Sequence, residues 1–134
     1  MASTTDFGVT ASAGTLRSDS AAGWTVPHDW TLEGVVVEGE GNGAAVLHLS
    51  VALCVLNDTF RESQSLGVPV AGVRVVAGGA FDTESWVSRG ITYAVEIDSP
   101  ASPDELEQVL RHVDEVAEIP RVLRAGMSVE RADG

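Results

Sequence analysis

Cys54 is the only thiol in the chain, and its neighbours decide whether it can act as one. It lies in the stretch VLHLSVALCVLNDTFRESQSLG, apolar before the cysteine and polar after it. Ser50 and Asp58 stand four residues to either side, so on a helix the three share a face. Polar groups on one stripe of an otherwise apolar helix mark a small wet pocket. A cysteine in that place is either a compact packing residue or a nucleophile. The second role needs the thiolate, which a nearby cation favours and the Asp58 carboxylate opposes. The cations on offer are arginines and histidines, because the chain has no lysine.

His48 precedes Cys54 by six residues, so the two side chains leave the helix in different directions. It remains a candidate to line the pocket or to fill the core. His28, His48 and His112 lack the close spacing of a ligand pair, and no second cysteine offers Cys-x-x-Cys, so neither a metal nor a cofactor is expected. The loop GEGNGA loosely resembles a phosphate cradle, but Glu38 and Glu40 repel phosphate and the P-loop lysine is missing; it reads as a turn. The acidic run PDELEQ, with Asp114, Glu115 and Glu118, reads as the solvated face of a helix.

The elements that must hold these residues follow from periodicity. FGVTASAGTLR and GWTVPHDW flank the turn SDSAAG and predict a hairpin. TLEGVVVEG supplies a third strand through its valine run. Residues 44–66 form the strongest helical segment, apolar nearly all round up to Leu56 and therefore expected to be wrapped by protein. VPVAGVRVVAGGAFD reads as a strand with a bend at Gly78-Gly79, and SRGITYAVEIDS as another, with Ile91, Tyr93, Val95 and Ile97 on one face. Ser102, Pro103 and Glu105 announce a second helix by N-cap, first-turn proline and capping box. Ile119-Pro120 interrupts it, RVLRAG makes a short helical turn and MSVER a last strand. The order is βββ-α-ββ-α-β, an α+β fold. It forms one domain over residues 1–134, with an N-terminal β-region at 5–38, the central helix at 44–66 and a β-β-α-β portion at 68–131.

Net charge narrows the partners. Twenty acidic residues against eight basic ones give −12, which argues against nucleic acid and against anionic membrane surfaces. No unbroken run approaches the ~18 apolar residues of a bilayer span. The start MASTTDFGVTASAG lacks the basic and apolar regions of a signal peptide, and a lone cysteine suits a reducing, cytoplasmic compartment. The arginine-only, Ala/Gly/Val-rich composition suits a high-GC bacterial genome.

Three segments together resemble a known family. The βββ start, the buried helix with a cysteine at its middle, and the run GVPVAGVRVVAGGAFD followed by IDSPASPDELEQVLRHVDEVAEIPRVLRAG are similar to the OsmC/Ohr proteins, named for osmotic induction and organic hydroperoxide resistance. The likeness covers roughly residues 30–131. It implies an intertwined homodimer in which two central helices pack at the middle and each active site uses both chains. It also implies a peroxidatic cysteine that attacks an organic hydroperoxide and becomes a sulfenic acid, then a second cysteine that resolves it for reduction by external thiols. By position, Cys54 matches the peroxidatic cysteine and Arg17, in TLRSDS, the activating arginine. The family's activating glutamate falls on Ala44 and its resolving cysteine on Ile119.

Three functions stay open on these residues. One is a one-cysteine peroxidase that uses Cys54, Arg17 and an external thiol. Another is a repurposed member whose dimer-interface pocket, with Ser50, Cys54, Asp58, His48 and Ile119, binds or transforms a small hydrophobic metabolite. The third is a structural or regulatory dimer with an inert Cys54.

Overall fold

The computed structural model describes residues 4–132. Four strands come first: β1 (Thr4–Asp6), β2 (Val9–Gly14), β3 (Trp24–Val26) and β4 (Val35–Glu38). Helix α1 (Gly43–Ser65) follows, then β5 (Gly72–Gly78), β6 (Ala80–Asp82) and β7 (Ile91–Asp98). Helices α2 (Pro103–Val116) and α3 (Glu118–Arg124) and strand β8 (Val129–Arg131) complete the chain. The α+β reading therefore holds, with a short strand added on each side of α1.

Six strands form one sheet in the order β3-β4-β2-β5-β7-β8, antiparallel throughout except for the parallel β7–β8 pair. The hairpin expected between the first two strand segments does not form. Strand β4 sits between β3 and β2, pairing with both. The reason lies in burial: Val35, Val36 and Val37 are all buried, which requires neighbours on either side, whereas Trp24 and Thr25 are exposed and suit an edge. The bend expected at Gly78-Gly79 is present, and beyond it β6 leaves the main sheet to pair with β1. A Cβ at Gly79 would meet the Gly90 carbonyl oxygen at 2.1 Å, so only glycine fits the corner.

Helix α1 lies against β2 and β5, with α2 beside it on the same face of the sheet. Strand β5 shows the alternation this demands: Val73, Val75 and Ala77 are buried and Arg74 and Val76 exposed. Ala11 and Ala13, both fully buried on β2, let the helix approach closely. Asn42 caps α1 by accepting the Ala45 N–H at 2.9 Å, and Gly67, at φ +72°, turns the chain out of it. By length and composition α1 is apolar enough to cross a bilayer, unlike the sequence expectation, but 56% of its apolar window is buried within the fold, as in a core helix. Its wrapping is incomplete. Val46 is 52% exposed, and Leu47, Ser50, Leu53, Cys54 and Asn57 continue that stripe, half-buried, along one side.

The capping box of α2 forms as read: Ser102 Oγ accepts the Glu105 N–H at 3.2 Å, and the Glu105 carboxylate accepts the Ser102 N–H. Val109, Val113 and Ala117 form its buried stripe. The break after α2 falls at Ala117, whose ψ of 124° is extended, and Pro120 occupies the first turn of α3 instead of ending a helix.

Candidate functional site

Three side chains of α1 and one from α3 converge at the half-buried part of the helix. Cys54, Asp58 and Arg61 are spaced i, i+4, i+7 and share a face. Glu118, the first residue of α3, is brought against them because Ala117 redirects the chain. The Cys54 thiol donates to Glu118 Oε2 at 3.3 Å, and Asp58 Oδ2 lies 3.9 Å from the same sulfur. Arg61 binds Asp58 Oδ2 at 3.1 Å and Glu118 Oε1 at 3.4 Å. Thus one carboxylate oxygen of Glu118 takes the thiol and the other takes the guanidinium. The network runs on through Glu62, 3.9 Å from Arg61 Nε and 3.2 Å from His112 Nε2.

The electrostatics keep the thiol neutral. Burial pushes Cys54 from its ordinary value near 9 up to about 11; Asp58 and Glu118 add to this, and the Ile119 backbone N–H opposes it by bonding to the sulfur. The two carboxyls are driven apart. Burial raises Asp58 in spite of Asn57 and Arg61. Glu118 is lowered by its own backbone N–H, then by the Cys54 thiol and by Arg61. Sγ, an Asp58 oxygen and a Glu118 oxygen lie within 4.8 Å of one another, a spacing that also suits a cation. The cation that these carboxylates hold is Arg61.

Of the residues singled out from sequence, Cys54, Asp58 and Ile119 come together here, Ile119 through its N–H. Ser50 lies one turn away, but its hydroxyl donates to the Leu47 carbonyl at 2.6 Å along its own helix. His48 is fully buried elsewhere: its Nδ1 is 2.7 Å from the Phe7 carbonyl oxygen and its ring packs on Phe81. It is a core residue tying α1 to the β1–β2 link and to β6. Arg17 lies in the β2–β3 connection, with its guanidinium 3.5 Å from Thr25 Oγ1. Sequence reasoning missed Arg61 and Glu118. Arg61 carried a signal, since it stands three residues after Asp58. Glu118 carried none; it is 64 residues from Cys54 and had the look of a solvated acid.

Of two smaller hollows, the first borders the site through Glu118 and the second is lined by none of its residues. One, about 400 Å³, is lined by Glu118, Arg121 and Val122. The other, about 300 Å³, lies between Trp30, Phe60 and the Val68–Val70 segment. A larger one, about 770 Å³, opens at Asp114, Arg124 and Arg131, where Arg124 pairs with Asp114 and Arg131 with Glu107. It is remote from Cys54 in chemistry as well as in lining.

No protein-family model matches the sequence, and no curated protein does. Solved structures do match. An OsmC-like protein from Mycoplasma pneumoniae is 16% identical, with a TM-score of 0.63, over 98% of this chain and 94% of that one. The chain has the OsmC-like fold. A hypothetical protein from Aquifex aeolicus VF5 aligns over 98% of this chain and 92% of its own at 13% identity and a TM-score of 0.60. A Psychrobacter arcticus 273-4 protein, named for osmotic stress induction and detoxification response, aligns over 85% of this chain and 96% of its own at 9% identity and a TM-score of 0.56. At these identities the likeness speaks for the fold, and the OsmC-like reading of the sequence is borne out at that level.

Proposed function

We propose that this OsmC-like protein binds and transforms a small, largely apolar molecule by proton transfer at Cys54, Asp58 and Glu118, and that it is not a peroxidase with a standing thiolate. One observation carries the reading: the thiol faces two carboxylates, and the cation beside it among the described residues, Arg61, is bound to those carboxylates instead of to sulfur. With a value near 11, about one Cys54 in ten thousand is thiolate at pH 7. A neutral thiol is a hydrogen-bond donor, so the ligand it suits carries an acceptor such as a carbonyl oxygen. The stripe of Val46, Leu47 and Leu53 beside Cys54 supplies apolar contact.

That same stripe is the natural seat of a second copy, and we read the protein as a homodimer that closes over the site in a reducing, cytoplasmic compartment. The peroxidase reading keeps one point in its favour, the Ile119 N–H on the sulfur. It would need an external thiol as resolver.

The test has two arms at pH 7. With one equivalent of cumene hydroperoxide, trapping by dimedone and intact-mass measurement should find Cys54 unmodified after minutes; a rapid sulfenic adduct overturns the proposal. With the unreactive ketone cyclohexanone, the Ile119 amide resonance should shift; an unmoved resonance at saturating ketone equally counts against it.

A further inference from the structure

The hollow between the β3–β4 connection and the end of α1 has three walls, each fixed by the fold. Phe60 and Gln64 stand four residues apart on α1 and form the first. Gly67, at φ +72°, turns the chain so that residues 68–70 form the second. That segment is tied down twice. The Val68 N–H donates to the Ser63 carbonyl at 2.8 Å, and the Ser99 hydroxyl donates to the Pro69 carbonyl at 2.5 Å. Trp30 closes the third side. Its loop is pinned to α1 through His28, whose ring meets Phe60 edge-on at 5.4 Å and whose Nδ1 lies 2.8 Å from Thr31 Oγ1. A preformed hollow of about 300 Å³ with aromatic and aliphatic walls stands at the small end of the sites that hold small molecules.

The lining selects the chemistry of the occupant. No charged side chain lines the hollow, and the chain carries −12, so an anion meets no partner there and a field against it. Two polar groups of the lining are uncommitted: the Trp30 indole N–H and the Gln64 carboxamide have no hydrogen-bond partner among the described residues. The Ser63 hydroxyl, by contrast, is spent on the Thr59 carbonyl at 2.5 Å. A carboxamide presents a donor and an acceptor side by side, so its complement is another amide edge. An indole N–H adds one more donor, suited to the second lone pair of the same carbonyl oxygen. Trp30 is 39% exposed and Gln64 is exposed, so both are within reach of a ligand.

We infer that this hollow is a binding site, separate from Cys54, for a neutral planar aromatic lactam or amide of at most two fused rings. The ring packs against Phe60, Val68 and Val70. Its N–H donates to the Gln64 carbonyl oxygen, and its carbonyl oxygen accepts from the Gln64 amide and from the Trp30 indole.

The probe is quinolin-2-one, added to the isotope-labelled full chain at about pH 7.5 and followed by the indole N–H resonances. The chain has three tryptophans, Trp24, Trp30 and Trp86, and the signal lost in Trp30→Phe assigns that of Trp30. The Trp30 resonance should shift saturably with a Kd of about 0.1–1 mM, as befits a ligand of this size, while those of Trp24 and Trp86 stay in place. Gln64→Leu keeps the bulk and removes both amide hydrogen bonds, so it should weaken binding about tenfold or more. Quinoline-2-carboxylate, the same ring with a negative charge, should leave Trp30 unmoved at equal concentration.

An unmoved Trp30 resonance at about 3 mM quinolin-2-one overturns the inference, as do equal shifts of all three indoles. Undiminished affinity in Gln64→Leu, or a carboxylate that binds as well as the lactam, overturns it too. If the Ile119 amide moves and Trp30 does not, the ring sits at Cys54; this site then falls and the ligand reading proposed for Cys54 stands. Gln64 is exposed, so its change leaves the core intact, and circular dichroism checks that it does.

Discussion

Ionising Cys54 should cost the folded state measurable stability, and the amount follows from its surroundings. In the fold the thiol is raised from near 9 to about 11, mainly by burial, with Asp58 and Glu118 adding to it. In the unfolded chain it titrates near its ordinary value. Between about pH 9 and 11 the unfolded state therefore binds fewer protons than the native state, so stability falls as pH rises through that window. Two units correspond to at most about 2–3 kcal/mol, less for a half-buried thiol that solvent screens, complete above pH ~11 and absent well below ~9. The perturbation is Cys54→Ser, which removes the titration. Urea unfolding of both proteins at about pH 7.5, 9 and 10.5 gives the difference and cancels the contributions of all other groups. The wild-type protein should lose ground to the serine variant only in the two alkaline experiments. Thiolate absorbance near 240 nm, taken as a difference against Cys54→Ser, should show a midpoint near 11, lowered in Asp58→Asn and in Glu118→Gln but still above 9 because burial remains. A midpoint at or below 9 in the wild-type chain would refute the reasoning, and with it the claim that the site holds a neutral thiol.

Three further outcomes check other parts of the structure. Tyr93, 1% exposed, donates its hydroxyl to Asp114, which also holds Arg124, so Tyr93→Phe should cost about 1–2 kcal/mol in urea midpoint while leaving the fold intact. Ser102→Ala removes the oxygen that caps α2 and should cost about 1 kcal/mol by the same assay. Leu53→Glu places a charge in the open stripe of α1 and should shift a dimer to a monomer in sedimentation equilibrium; an unchanged mass would remove that stripe from the interface.

How much of this was legible depended on the range over which each signal acts. The cap of α2, the glycine stop after α1 and the alternation of β5 and β7 are set within a few residues, and the sequence shows them. The pairing of β3 with β4 instead of β2 is a choice between partners of similar pattern. What decides it is that Val35, Val36 and Val37 are buried together, which is a property of the finished sheet. Strands β1 and β6 are three residues each and stabilise one another across the chain, so neither has a local pattern to read. In the site, the Cys54–Asp58–Arg61 face was open to helical arithmetic. Glu118 was not, because its contact with Cys54 spans 64 residues and its side chain stays largely exposed, as a solvated acid's would.

The interruption at Ala117 is what makes Glu118 and Ile119 available. Had α2 run on, the Ile119 N–H would have been spent on the carbonyl four residues earlier. Because Ala117 is extended, Ile119 is instead the second residue of α3, one of the positions whose N–H has no partner within its own helix, and it bonds to the sulfur of Cys54. The same break aims the Glu118 side chain at the thiol from the start of α3. Pro120 sits third in that helix, where a missing N–H leaves nothing unsatisfied, and its buried ring fixes the turn. The Glu118-Ile119-Pro120 turn thus sets both the carboxylate and the Ile119 N–H beside Cys54. On the proposed reading, the carboxylate bonded to the thiol and the arginine that holds it serve proton transfer at Cys54.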